Sequence, residues 1–78
     1  MILIFLFPKG MSMPEQKNAV EVIMNFNQQM IDEWVEDETI DTATIIVKDF
    51  DSPPLGFIKY LDGSGLYVLM GNPFGRGG

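Results

Sequence analysis

Hydrophobic and polar positions divide the chain into a short series of predicted elements. Residues 1–7 are all apolar, and the run stops at Pro8-Lys9-Gly10, which is typical of a strand followed by a turn. Apolar residues occupy both alternating sets of positions in this run. We therefore expect the first strand to be covered on both faces, as a strand in the centre of a sheet would be.

The segment that begins at Ser12 has the periodicity of an amphipathic helix. Ser12 and Glu15 have the spacing of a capping box, and Pro14 is tolerated in the first turn. Successive residues turn by about 100°, which gives one apolar face that is expected to pack on a sheet. That face consists of Ala19, Val22, Ile23, Phe26, Met30 and Trp34.

A second apolar strip adjoins the first on the same helix. The two together are wider than one sheet contact usually needs, so the second strip is predicted to belong to a dimer interface. This strip consists of Val20, Met24, Ile31 and Val35.

Acidic residues dominate the end of the predicted helix and the loop after it. Carboxylates at a helix C-terminus oppose the macrodipole, so the helix is expected to fray around Glu36 to Glu38. The cluster is either a solvated helix end or a surface for a basic partner. Its members are Asp32, Glu33, Glu36, Asp37, Glu38 and Asp41.

Two β-rich segments complete the pattern. Residues 42–50 form a predicted strand, and Pro53-Pro54 ends it. Residues 62–65 (DGSG) then separate two strand-like runs and predict a four-residue hairpin turn, with Leu61 opposite Leu66. That register places Ile58, Tyr60, Tyr67 and Leu69 on one face and Phe57, Leu61, Leu66, Val68 and Met70 on the other. Both faces are apolar, although an antiparallel sheet usually has one polar face that is exposed to solvent.

The order of elements is therefore β-α-β-β-β. It predicts an α+β fold with one amphipathic helix packed on a three- or four-stranded, mainly antiparallel sheet. Residues 1–72 are expected to form a single domain, and residues 73–78 a flexible glycine-rich tail.

Composition excludes most catalytic chemistry. The 78 residues contain neither Cys nor His, so there is no disulfide, no ordinary zinc site and no activated serine or cysteine nucleophile. Asp49 and Asp51 resemble the start of a calcium loop, but the pattern fails at Pro54 and Tyr60, where Gly and an acid are required. We predict no enzyme activity, no metal and no cofactor.

Charge and length limit the partners. The net charge of -6 and only five basic residues disfavour direct nucleic-acid binding. The N-terminal apolar run is far shorter than the ~20 residues of a membrane helix and has no basic region before it. We therefore expect no membrane association, and the absence of Cys fits a cytoplasmic protein.

The last residues, GNPFGRGG, suggest the most specific chemical hypothesis. A flexible Gly77-Gly78 terminus resembles that of ubiquitin-like proteins and sulfur carriers, and this resemblance implies activation of the C-terminal carboxylate. The β-grasp fold of those proteins has two complete strands before its helix, whereas only one convincing strand precedes Ser12 here. The carrier function is therefore the alternative hypothesis.

A non-catalytic protein-binding module is the preferred prediction. It would be a small acidic inhibitor or adaptor of a host protein, of the sort that phages and mobile elements encode, and it would form a homodimer. The dimer would form through the second sheet face, with Ile58 and Leu69 added to the helix strip, or through the edge of a terminal strand. The predicted partner-binding residues are the six acids together with Tyr60, Tyr67 and Phe74.

Overall fold

Two helices pack on one face of a four-stranded sheet, which confirms the predicted α+β class. A computed structural model describes residues 1–49 and 51–73 of the chain. The elements are β1 (Ile2–Leu6), α1 (Met13–Phe26), α2 (Gln28–Glu36), β2 (Ile40–Ile46), β3 (Leu55–Tyr60) and β4 (Gly65–Leu69). The sheet order is β1-β2-β3-β4, with β1 parallel to β2 and the other neighbours antiparallel.

The start of α1 follows directly from local sequence. The Ser12 hydroxyl accepts a hydrogen bond from the Glu15 backbone N–H at 3.3 Å, and the Glu15 carboxylate accepts one from the Ser12 N–H at 3.0 Å. These bonds satisfy free donors of the first turn. The Ser12 backbone and side-chain donors also lower the pKa of Glu15. The predicted capping box is confirmed.

The predicted helical segment divides into two helices at Asn27. This residue ends α1 and precedes α2 with φ -110° and ψ 26°, outside the helical range. Its amide is only 6% exposed and bridges two distant segments. The Nδ2 donates to the carbonyls of Ile23 (3.0 Å) and Gly71 (3.2 Å), while the Oδ1 accepts from the Gly71 N–H at 2.7 Å. The break therefore ties the helix junction to the chain that leaves β4.

The break also changes which helical residues face the sheet. Ala19 and Ile23 of α1 and Ile31 and Trp34 of α2 are buried in the core. Phe26, which was predicted to lie on the packing face, is 61% exposed, and its ring lies against Gly71. Ile31 was expected in the outer strip. The change of axis at Asn27 is the physical reason that it belongs to the core.

The core lies between the helices and the two central strands. Its strand residues include Ala43, Ile45 and Val47 on and after β2 and Ile58 on β3. Gly56 of β3 allows α2 to approach closely, because a Cβ there would lie 3.2 Å from the Trp34 ring. No helix among residues 1–49 and 51–73 is long and apolar enough to cross a membrane.

The expectation that the first strand is covered on both faces is also wrong. Among residues 1–49 and 51–73, β1 is an edge strand whose one partner is β2. Leu3 and Phe5 pack against the core, but Ile2, Ile4 and Leu6 on the opposite face are 61%, 38% and 51% exposed. The apolar residues at both parities therefore reflect one covered face and one open face.

The hairpin between β3 and β4 has a different register from the predicted one. Tyr60 N–H donates to the Ser64 carbonyl at 2.9 Å, and Gly63 N–H donates to the Tyr60 carbonyl at 3.0 Å. Gly63 takes a positive φ of 93°, as expected for a three-residue loop of residues 61–63 with glycine in its last position. Ile58 thus pairs with Leu66 instead of Leu69.

Compared with the predicted register, this register exchanges the two faces of β4 relative to those of β3. Because side chains alternate between faces, a shift of an odd number of residues reverses the face of every residue. Ile58 and Tyr60 therefore lie on the helix-covered side, whereas Tyr67 and Leu69 lie on the uncovered side. The prediction that these four residues share one face is wrong.

Replacing Asn27 with alanine tests the bridge to Gly71. The Gly71 backbone N–H and carbonyl would lose buried partners, so we expect the free energy of unfolding to fall by about 1–3 kcal/mol. Urea denaturation followed by circular dichroism measures this change. The matched control is Asn18→Ala at an exposed position of α1, where we expect a change within about 0.5 kcal/mol. Equal effects of the two substitutions would contradict the structural role of Asn27.

Candidate protein-interaction surfaces

The side of the sheet that faces away from the helices forms a continuous surface, which we call the open sheet face. The strand registers align its residues in three rows that run across all four strands. The rows are Ile2-Thr42-Lys59-Gly65, Ile4-Thr44-Phe57-Tyr67 and Leu6-Ile46-Leu55-Leu69. The last two rows are apolar except for one threonine.

Five large apolar side chains of the open sheet face are strongly exposed. Tyr67 and Leu69 of β4 are 65% and 69% exposed, in addition to Ile2, Ile4 and Leu6 of β1. Lys59 is the one charged residue of the three rows. The solvent side of an antiparallel sheet is normally polar. A contiguous apolar patch of this kind on a small chain is a candidate interaction surface.

Aromatic packing gives the centre of the open sheet face its shape. The Phe57 and Tyr67 rings lie on neighbouring strands with centroids 4.8 Å apart and planes tilted by 45°. The Phe57 ring lies over Gly65, where a Cβ would come within 2.8 Å of its Cζ. Glycine at this position therefore leaves the space that the Phe57 ring occupies.

The six predicted acids lie between the middle of α2 and the start of β2, and together we call them the acidic end. All six side chains are exposed: three on α2, two in the turn after it and one on β2. α2 ends at Glu36, and the Asp37 N–H donates to the Trp34 carbonyl at 3.2 Å. Within the described residues, no group of three or more acids is arranged to hold a metal ion.

Asp37 organises the turn at the acidic end. Its Oδ1 accepts hydrogen bonds from the Thr39 hydroxyl at 2.6 Å and from the Thr39 N–H at 2.9 Å. These two bonds, the hydroxyl first, lower the pKa of Asp37. The carboxylate is therefore held in its ionised form next to exposed acids.

A groove next to the acidic end brings two of the predicted partner-binding residues together. Glu38 and Tyr60 both line it, with Thr39, Leu61, Asp62 and Ser64, around a volume of about 480 Å³. Leu61 is 68% exposed at this groove. Tyr67 does not join Tyr60, because the hairpin register places the two tyrosines on opposite faces of the sheet. Phe74 lies outside the described residues.

The predicted dimer-interface residues are dispersed over the molecule. Ile31 and Ile58 are 5% and 1% exposed, so they present almost no surface to a second chain. Met24 packs against the core, and Val20 lines a separate groove with Phe7 and Met13. Val35 and Leu69 remain strongly exposed, at 61% and 69%, but Leu69 alone lies on the open sheet face.

Sequence reasoning missed most of the open sheet face. The missed residues are Ile2, Ile4, Leu6, Ile46, Leu55 and Phe57. The signal for Ile2, Ile4 and Leu6 is the presence of apolar residues at both parities of the first strand.

Comparisons with known proteins returned no relative. Neither a protein-family model, nor a curated protein, nor a solved structure matches this chain. The inference of function therefore depends on the surfaces described above.

Replacing Thr39 with valine tests the turn at the acidic end. Loss of the hydroxyl removes the largest cause of the lowered pKa of Asp37, so this pKa should rise toward that of an ordinary aspartate. Carboxyl-carbon NMR titration measures the change. The control is Asp62, whose pKa is lowered independently by Ser64 and should not move.

The lowered pKa of Asp37 also determines how the stability of the fold depends on pH. Because the pKa of Asp37 is lowered in the folded chain, its hydrogen bonds stabilise the fold above the unfolded-state pKa. That contribution is lost as the pH falls through the folded-state pKa. An unchanged Asp37 titration in Thr39→Val would contradict the assigned cause.

Proposed function

We propose that this chain is a non-catalytic protein-binding module that works as a homodimer. The observation that carries the proposal is the open sheet face, with five large apolar side chains between 38% and 69% exposed. Exposing them to water is unfavourable at roughly 25 cal/mol per Å² of apolar surface. A protein surface that covers them removes this cost, which is the driving force of most protein association.

The acidic end is suited to a binding partner that differs from a second copy of this chain. Its six exposed carboxylates suit a basic protein surface, and the groove beside Tyr60 and Leu61 adds apolar contact. A small acidic inhibitor or adaptor, of the kind that phages and mobile elements encode and that acts in the cytoplasm, fits these features. Such an inhibitor would occupy a basic groove of its target in place of nucleic-acid phosphates.

The carrier alternative has no supporting observation among the described residues. Only β1 precedes α1, whereas a β-grasp carrier needs two strands there. Residues 74–78, which include the Gly-Gly terminus, lie outside the described residues. We therefore keep protein binding as the proposed function.

Affinity capture from the native host tests the role of the acidic end. The variant Glu36→Gln/Asp41→Asn removes two negative charges there, while the control Glu21→Gln/Asp51→Asn removes two exposed charges elsewhere. Each exposed ion pair contributes about 0.2–1 kcal/mol, so the first variant should bind its partner roughly tenfold more weakly at low salt. The control should bind as the unmodified chain does.

Three outcomes would contradict the proposal. Equal affinity of both variants would show that the acidic end does not contribute to the partner interface. A monomeric mass at micromolar concentration would contradict the proposed homodimer. Capture of an activating enzyme that is lost on deletion of Gly77 and Gly78 would establish the carrier function instead.

A further inference from the structure

We infer that the open sheet face is covered by the same face of a second copy of this chain, and not by a different protein. This inference rests on the homodimer of the proposed function and names the surface that forms it. In such a dimer two sheets pack face to face, and the helices of both copies lie on the outside. The interface is isologous, with the same residues contributed by each copy.

The exposed area is large enough for a small protein interface. The exposed fractions of Ile2, Ile4, Leu6, Tyr67 and Leu69 are 61%, 38%, 51%, 65% and 69%. Taking roughly 200 Å² for a fully exposed large apolar side chain, they give on the order of 550 Å² per copy. The half-buried Ile46, Leu55 and Phe57 add to this area. Counting both copies, the contact would bury on the order of 1,100 Å² or more, which clears the ~1,000 Å² total of a biological interface.

The chemistry of the face suits contact with itself. Apart from Lys59 and Gly65, its rows consist of isoleucine, leucine and aromatic side chains with two threonines, which suits the inner face of a β-sandwich. Tyr67 can bury its ring while its hydroxyl reaches the rim. Because Lys59 lies in an outermost row, its long side chain can place the ammonium group in solvent.

Charge distribution also permits a second copy on this face. Each chain carries a net charge of -6, which opposes self-association in general. None of the eleven acidic residues belongs to the three rows of the open sheet face. The like charges are therefore kept outside the contact.

Pairing through a sheet edge is the competing geometry. The outer edges of β1 and β4, which have no strand partner within the described part of the chain, could each add a strand of a second copy. An edge-paired dimer would leave the open sheet face of both copies in water. Face-to-face packing removes that apolar surface and is therefore favoured.

A pair of lysine substitutions tests the inference. Leu69→Lys places a charge in the open sheet face, and Leu61→Lys is the control in the hairpin loop, where the leucine is equally exposed (69% against 68%). Sedimentation equilibrium at micromolar concentration should give twice the 8.8 kDa chain mass for the unmodified chain and for Leu61→Lys. Leu69→Lys should raise the dimer dissociation constant by at least about tenfold, since it removes apolar contact from the interface and its ammonium group must stay hydrated.

A second variant and a measurement of folding distinguish a weakened dimer from an unfolded chain. Tyr67→Ser truncates an anchor of the same face without adding a charge, and it should also weaken the dimer by at least about tenfold. Circular dichroism confirms that each variant is folded. If both variants weaken the dimer while Leu61→Lys does not, the inference is supported.

The contrary outcomes separate this inference from the proposed function. A dimer that is insensitive to Leu69→Lys and Tyr67→Ser would overturn the face-to-face contact and leave the homodimer standing, formed elsewhere. A monomeric unmodified chain would overturn both the homodimer and this inference. Monomeric mass together with loss of host-partner capture in Leu69→Lys would assign the open sheet face to a different protein.

Discussion

A single helical layer can cover only one face of a sheet, and the strands of this chain are apolar on both faces. α1 and α2 bury Ala43, Ile45 and Ile58 on one side, with Gly56 providing the space for Trp34. The apolar side chains of the opposite face have no covering layer among residues 1–49 and 51–73. Because a chain of this length buries only roughly 60% of its unfolded surface, association through the uncovered face is a direct route to further stability.

Asn27 determines how the helical layer fits the covered face. Its amide satisfies the Ile23 carbonyl at the end of α1 and both backbone groups of Gly71, after β4. One side chain therefore fixes the bend between the helices and the path of the chain beyond the sheet. The bend brings Ile31 into the core and leaves Phe26 at the surface against Gly71. A buried polar side chain with all its partners satisfied is thus part of the core architecture.

Sequence reasoning succeeded where structure depends on near neighbours. The capping box of Ser12 and Glu15, the strand segments and the overall element order were all predicted, because each depends on residues a few positions apart. The break at Asn27 was not predictable in this way, since its hydrogen-bond partner Gly71 lies 44 positions further along the chain. The edge position of β1 likewise depends on the arrangement of all four strands.

The candidate surfaces were predicted only in part for the same reason. The acidic end is contiguous in sequence, so its six residues could be named in advance. The open sheet face depends on the hairpin register, and DGSG offers two glycines that could take the positive φ of a turn. Gly63 takes it, which moves the loop to residues 61–63 and sends Tyr67 and Leu69 to the uncovered side. A local ambiguity of a few residues thus decided the composition of the whole face.

The most direct measurement compares the solvent exposure of leucine methyl groups in the unmodified chain. A soluble paramagnetic probe broadens the methyl NMR signals of side chains that it can reach. If the open sheet face is covered in solution, the signals of Leu69 and Leu6 should be protected at concentrations where the chain associates, while those of Leu61 remain broadened. Equal broadening of Leu69 and Leu61, which are 69% and 68% exposed in the single chain, would contradict a covered sheet face.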